Sequence, residues 1–402
     1  MSASAFVQVS CRDFNPSLEF FTSAPLNFLV ESIFPADDPS EASLVGQGLK
    51  LVLVRDGNMD ATTICVQVDD PERGEIQEPR DLKGPNGTLV RLLPPEPLVV
   101  ACPTLQEAVV VSHLHDDNSS DGVTTWSVGR AGMRYRDLIP CRLGGRYIAS
   151  HIHIPKGGPV PDYCHYHHIH FQMIFCYKGW VKVVYEGQGE PFVMHPGDCV
   201  LQPPRIRHRV LEASDNLEVV EVGSPAVHKT VQDFNMTLPS AEVDVDRVYS
   251  GQKFVRHLLS DRESKSESGG GLTDVHGFEA ATAVYMWGQA ADNGQSQDWK
   301  VLDTGIFKAT GGVASARVVR ALGGRDVPPA PPGALNMSHT HSLDMLLLFV
   351  LAGSMTCEVL VSEAQQQHKL VAGSSLVVPA HTPFVVAQWS DDAEVLEIQV
   401  FS

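Results

Sequence analysis

Residues 163–172 read YCHYHHIHFQ, and how this stretch is read decides how the rest of the chain is read. It holds His165, His167, His168 and His170, four of the chain's seventeen histidines, and closes on Gln172. In an extended strand, residues two apart project to the same face. His165 and His167 therefore converge on one point. His168 and His170 share the parity of Gln172 and form a second candidate set. Two imidazoles from one strand, joined by a group from another, make a metal pocket with open positions for substrate. The glutamine is out of keeping, because it is a weak, neutral oxygen donor where a metal site more often uses a carboxylate.

Working outward, Gly179 lies 14 residues after His165, and Gly353 lies 14 after His339. Gly197 to His208 spans 11 residues, as does Gly373 to Phe384. Upstream, DLIPCRLGGRYIASHIHIPKGG begins at Asp137 and DTGIFKATGGVASARVVRALGG begins at Asp303, and in each the last glycine (Gly158, Gly324) lies 21 residues after the aspartate. Matching offsets over so long a span imply two copies of one supersecondary unit. Each copy is a run of short strands, such as IASHIHIP, HFQMIFCYK, WVKVVYE and LEVVEVG, parted by Gly, Pro and Asp turns. That pattern belongs to a sandwich or small barrel.

The block GGPVPDYCHYH (157–167), with Gln172, Gly179, Gly197, Pro203 and His208, resembles the two motifs of the cupins. The first motif is a glycine-led turn, H-x-H, three or four residues, Glu, six residues and Gly. The second is G-x5-P-x-G-x2-H. His165, His167 and His208 fall on the three histidine positions and Gln172 on the glutamate position, while Arg205 replaces the second motif's glycine. The resemblance favours His165 and His167 over His168 and His170. It implies a mainly β chain with two cupin β-barrels of the double-stranded β-helix (jelly-roll) type.

For the site, the resemblance implies one divalent metal held by His165, His167, Gln172 and His208, with iron(II) expected first and manganese, nickel, zinc or copper as alternatives. It implies a dioxygenase-type oxidoreductase acting on a small chelating or anionic substrate. A redox-silent metal-dependent lyase or isomerase, or a non-catalytic metal- or small-molecule-binding cupin, are the other readings. Gln172, Tyr163 and Tyr177 are the candidate catalytic residues, as ligand tuner, acid, base or hydrogen-bond donor. Tyr166 and Arg207 are also near in sequence, and Cys164 should point away from the site. His151 and His153 should line the barrel mouth or face solvent, the latter being favoured. The second copy keeps His339 and His341 but has Leu346 and Phe384 where Gln172 and His208 stand, with His381 at the turn glycine's place and Asp344 nearby. It is expected to be a degenerate, structural cupin. Cupins also dimerise by strand exchange, which implies a homodimer.

Residues 5–98 form a separate α+β unit. AFVQVS reads as a strand and DFNPSLEFFTSA as a short helix capped by Asp13 or Asn15; NFLVESIFPA, LKLVLVRD, TTICVQVDD and GTLVRLLPP read as further strands. This resembles a glyoxalase-like (vicinal oxygen chelate) half-module, whose ligand positions would be Gln8 and Arg91; a docking or dimerising role is expected. The expected domains are 1–98 (α+β), 99–130 (connector), 131–245 (first cupin), 246–275 (linker with the polar loop 260–271) and 276–402 (second cupin).

The formal net charge of −18 argues against nucleic-acid binding. Eight scattered cysteines with no C-x-x-C pair, no signal-like N-terminus and no long apolar run point to a reduced, cytoplasmic protein without a membrane span. In that setting the sequons at Asn86 and Asn336 are chance matches.

Overall fold

The computed structural model of the chain describes residues 3–24, 26–46, 49–55, 63–68, 79–83, 89–93, 100–114, 126–129, 132–259, 298–324 and 339–401. The acidic stretch 116–122, the polar loop 260–271, the proline-rich insert 325–338 and both sequons lie outside them. Among the described residues no helix is long and apolar enough to cross a membrane.

The N-terminal unit comprises β1 (Ala3–Cys11), α1 (Phe14–Thr22), β2 (Leu29–Phe34), β3 (Glu41–Gly46), β4 (Leu49–Arg55), β5 (Thr63–Val68), β6 (Arg80–Lys83) and β7 (Leu89–Leu93). They form one mixed sheet, ordered β2-β3-β4-β1-β5-β7-β6, with β1 parallel to β4. The helix starts at Asp13, but the aspartate side chain makes no capping bond; instead the Ser17 hydroxyl donates to the Asp13 carbonyl at 2.6 Å. Phe14, Phe28, Leu44 and Leu53 are buried between helix and sheet. Strands β3 and β6 were not expected, because EASLVG and RDLK alternate too weakly to read as strands.

The first repeat unit contains β8 (Val110–Ser112), β9 (Ser127–Val128), β10 (Arg134–Asp137), β11 (Ile148–Ile154), β12 (Gly158–Pro159), β13 (His165–His167), β14 (Phe171–Lys178), β15 (Val181–Tyr185), β16 (Phe192–Met194), β17 (Cys199–Leu201), β18 (His208–Ala213), β19 (Leu217–Ser224) and β20 (Thr230–Gln232). A hairpin, β21 (Val248–Tyr249) and β22 (Gln252–Lys253), and β23 (Val255–His257) lead on. The second repeat unit has β24 (Trp299–Asp303), α2 (Ile306–Thr310), β25 (Ala314–Ala321), β26 (Met345–Ala352), β27 (Ser354–Val361), β28 (Ala364–Val371), β29 (Ser375–Val378), β30 (Phe384–Trp389) and β31 (Glu394–Val400).

The two units share one strand order. One sheet runs β10-β11-β19-β14-β17 in the first and β24-β25-β31-β26-β29 in the second. The facing sheet runs β16-β15-β18-β13 in the first and β28-β27-β30 in the second, where the bridge His339–Phe384 stands in for the β13–β18 pair His165–His208. Hydrogen bonding among the described residues does not run continuously round either unit. Each unit is thus a pair of facing sheets, and the closure expected from the resemblance is not seen among the described residues.

Two features tie the units together. Strand β8, ahead of the first sandwich, pairs with β29 of the second, and β23, ahead of the second, pairs with β17 of the first. Strand exchange thus runs between the two sandwiches of one chain. The outer faces also pack on each other: Phe171, Met173, Phe175 and Val220 of the first sandwich share a cluster with Ala316, Leu347, Phe349 and Ile398 of the second. On β14 the odd-numbered residues are spent on this contact, and Gln172 and Ile174 face inward. The N-terminal sheet joins the first sandwich edge to edge, because β2 pairs with β20 through Ser32–Val231 and Ile33–Thr230, and β20 in turn pairs with β13.

Candidate metal centre

His165, His167 and His208 come together at the inner face of the β13–β18 pair. One ligating atom from each lies within 4.8 Å of the others, and all three residues are buried. His165 and His167 get there by strand parity, and His208 because it pairs directly with His165. Each ring is held by its Nδ1. His165 donates to the Tyr163 carbonyl at 2.7 Å, with Asp162 Oδ1 3.6 Å away; His208 donates to the Ile206 carbonyl at 3.0 Å; His167 meets the Thr230 hydroxyl at 2.8 Å. A neutral imidazole whose Nδ1 carries the hydrogen has its lone pair on Nε2, so these contacts set the tautomer a metal needs.

The turn that delivers His208 explains the Arg205 departure. Arg205 adopts φ +63°, the left-handed conformation a glycine would take freely, and its N–H bonds the His167 carbonyl at 3.2 Å. Holding a non-glycine residue there costs about 1–2 kcal/mol. His381 in the second sandwich repeats the device, with φ +56° and its N–H on the His341 carbonyl.

Gln172 reaches the same cavity from the opposite sheet. The chain crosses between sheets at 168–170, so strand parity with His165 does not apply across the crossing. Its Nε2 donates to Glu221 Oε1 at 3.0 Å, while its Oε1 is buried and has no hydrogen-bond partner among the described residues. A buried carbonyl oxygen lacking a partner is costly. Its placement in a cavity shared with three Nε2-presenting imidazoles is what a bound divalent cation would satisfy. The donor set therefore fits such a metal.

Other residues complete the cavity, whose volume is about 100 Å³. Glu221, Tyr185, Gln202 and His228 line it, and sequence reading had singled out none of them. The Tyr185 ring stacks on His208 at 5.6 Å, its hydroxyl accepts from Gln202 Nε2 at 2.8 Å, and burial pushes its phenol well above the ordinary range. Glu221 had a faint signal: in LEVVEVG it shares the parity of the core residues Leu217 and Val219. Apolar groups such as Met133, Ile152, Val181 and Met194 form much of the remaining wall. Ala36 and Asp37, on the turn after β2, bring the N-terminal unit to the cavity, and Asp37 is tied down by an ion pair with Arg142.

The remaining candidates fall elsewhere. Tyr163 serves through its backbone carbonyl, with its ring 5.7 Å from that of His165 but outside the cavity lining. Tyr177 is on the outer face of β14, packed edge-on against Phe349 at 5.2 Å, and is not brought to the centre. His168 stacks outside on Tyr166, and His170 is exposed. Arg207 lies over the Tyr166 ring and pairs with Asp233. Burial lifts the Cys164 thiol to about 11.

His151 corrects the expectation of a mouth or solvent position. It is fully buried on the outer face of β11, between Glu218 (2.7 Å) and Arg136 (3.0 Å), against Phe349 of the second sandwich. His153 bonds Asn216 beside Trp126. In the N-terminal unit, Gln8 Oε1 accepts from Cys65 and Arg91 pairs with Asp81.

The second sandwich has no equivalent cluster among the described residues. His341 Nε2 donates to the Val378 carbonyl at 3.1 Å and its Nδ1 accepts from the Leu343 N–H. Asp344 accepts from Tyr147 across the interface, not toward the histidines. Leu346 and Phe384 are buried in an apolar cluster with Trp299, Leu348 and Val350.

Residues 150–223 match a family model described as a cupin domain. That match falls on the first sandwich, and the second repeats its strand order. Solved structures that match include an oxalate decarboxylase from Bacillus subtilis, a two-residue deletion mutant (13% identity, 74% of this chain and 78% of that one, TM-score 0.46), and the Lactobacillus farciminis oxalate decarboxylase formate complex (14% identity, 74% and 88%, TM-score 0.45). No curated protein sequence matches the chain. Nothing in these matches points to a glyoxalase-like module in the N-terminal unit.

The expectation of an iron-dependent dioxygenase is corrected. The two structures named above are oxalate decarboxylases, but likeness at this level concerns outline only; the correction rests on the donors. The clustered groups are three imidazoles with no carboxylate among them. Neutral donors leave a divalent ion its full charge, which favours Lewis-acid work over oxidation to a more highly charged state.

Proposed function

We propose that the first sandwich is a metal-dependent lyase or isomerase acting on a small organic acid, with no change in the metal's oxidation state. The observation that carries this reading is a set of neutral donors, His165, His167, His208 and the unpartnered Gln172 Oε1, lining one cavity. A bound divalent ion supplies Lewis-acid polarisation of a carboxylate or carbonyl oxygen.

The chain's own residues do the rest. The three imidazoles are aimed by the Tyr163 and Ile206 carbonyls and the Thr230 hydroxyl. Glu221 holds the Gln172 amide so that its oxygen faces inward. Tyr185 accepts from Gln202 and keeps its own hydrogen to donate. The apolar walls limit water, which strengthens each polar contact. At about 100 Å³ the cavity is smaller than the roughly 150 Å³ that takes up benzene, which limits the substrate to a few heavy atoms.

The N-terminal unit contributes Ala36 and Asp37 to the wall of this site. All eight cysteines are thiols, which supports a reducing, cytoplasmic setting.

The test is to load the full chain with manganese, cobalt, nickel or zinc in turn. Each form is incubated without oxygen with oxalate and small 2-oxo and 2-hydroxy acids, and products are followed by NMR. Turnover with at least one metal and acid is expected, unchanged when air is admitted. Product formation that requires stoichiometric oxygen uptake overturns the reading.

A further inference from the structure

His228 lies on the loop between β19 and β20 and lines the cavity beside His167, the two rings meeting edge-to-face at 5.3 Å. It is 95% buried, being 5% exposed. Its Nδ1 bonds the Pro225 carbonyl at 3.2 Å, so the hydrogen of the neutral ring sits on Nδ1 and the lone pair on Nε2. That Nε2 is buried and has no hydrogen-bond partner among the described residues. The centre already has its three clustered imidazoles, and His228 is not one of them. Leaving a buried acceptor unsatisfied carries a cost that a ligand's donor would remove.

We propose that His228 Nε2 accepts a hydrogen bond from the substrate, and that the substrate is therefore a small 2-hydroxy acid. This deepens the reading given above and rests on it. Two ligand groups are then recognised at once. The carboxylate is drawn to the metal end, and the neighbouring hydroxyl donates to His228. A 2-amino acid has donors too, but its ammonium group would sit beside a divalent cation, where like charges repel. A simple acid without the hydroxyl leaves Nε2 unsatisfied. The turn Ala36–Asp37 lines the cavity and Asp37 is pinned by Arg142, and at about 100 Å³ the cavity suits an acid of few heavy atoms. The role assigned to His228 is that of a hydrogen-bond acceptor that sets specificity.

The test uses the full-length, zinc-loaded protein and two acids of nearly equal volume, glycolate and fluoroacetate, with acetate as reference. Binding is measured by calorimetry, and zinc content is measured in every variant. The wild type is expected to prefer glycolate by about tenfold, the size of one well-made buried hydrogen bond. His228→Phe keeps the ring's bulk and removes the acceptor, and should bring the ratio to within about twofold. His228→Gln restores an acceptor oxygen and should recover part of the preference. Zinc content should be unchanged throughout. A preference that survives in His228→Phe, or is absent from the wild type while acetate still binds, overturns the role of His228 and leaves the metal reading standing. Failure of all three acids to bind the zinc-loaded wild type overturns both.

Discussion

The two sandwiches have the same strand order and opposite interiors. In the first, His208 and Gln172 face a cavity; in the second, Phe384 and Leu346 fill the corresponding places within a cluster that includes Trp299, Leu348 and Val350. By register, both sandwiches carry a glutamate on the same central strand position, two residues before the partner of Gln172 or Leu346. In the first, Glu221 receives the Gln172 amide. In the second, Glu397 is neutralised by Arg317 at 2.6 Å and accepts from Gln399. One fold thus supports two outcomes. A site persists where polar side chains take the places that Leu346 and Phe384 fill in the second sandwich; otherwise the interior closes into a core.

Four changes would break or sharpen that contrast. The largest effect is expected in the closed interior. Phe384→Ala should destabilise the second sandwich by about 3–5 kcal/mol in denaturant unfolding, because it removes a buried ring and leaves a void. Metal affinity in the first should stay within experimental error. Next, His208→Phe makes the open interior resemble the closed one. It should lower metal affinity by at least about 100-fold in competition with a chelator, while circular dichroism shows the fold retained.

A smaller effect is expected from Glu221→Leu. It removes the acceptor that holds the Gln172 amide and should weaken metal binding by about tenfold. If the single change leaves affinity untouched, Gln172 is not held in place by Glu221.

The smallest effect concerns pH. Burial holds the His341 imidazolium below its ordinary value of 6.5. The unfolded chain then takes up this proton at higher pH than the folded one. The stabilising contribution is fully present above about 6.5 and is lost as pH falls toward the lowered folded value. Unfolding midpoints of the metal-free chain should decline from pH 7.5 to 5.5, and His341→Gln should flatten that decline. An unchanged slope would show that His341 does not titrate differently on folding.

Much of this contrast is legible in the sequence, and the part that is not has physical causes. Spacing brings out the repeat, and the cupin resemblance then picks His165, His167 and His208 and marks the loss of polar groups at Leu346 and Phe384. Parity misleads at Gln172, because the chain changes sheets at 168–170 and the two-residue period does not survive the crossing. Tyr177 and His151 are near the site in sequence yet lie on the outer faces of their strands, where the second sandwich packs. Glu221, His228 and Asp37 come from a neighbouring strand, a distant loop and another domain. No local pattern links them to the H-x-H pair. Which donors meet in space likewise depends on contacts that no local pattern shows.

A single metal centre, in the first sandwich alone, is tested most directly by the metal content, from elemental analysis, of the full chain purified without chelator, alongside His208→Phe and the double variant His339→Ala/His341→Ala. One divalent ion per chain is expected in the wild type, the same in the double variant, and near zero in His208→Phe. Full occupancy in His208→Phe, or loss of the ion in the double variant, would contradict it.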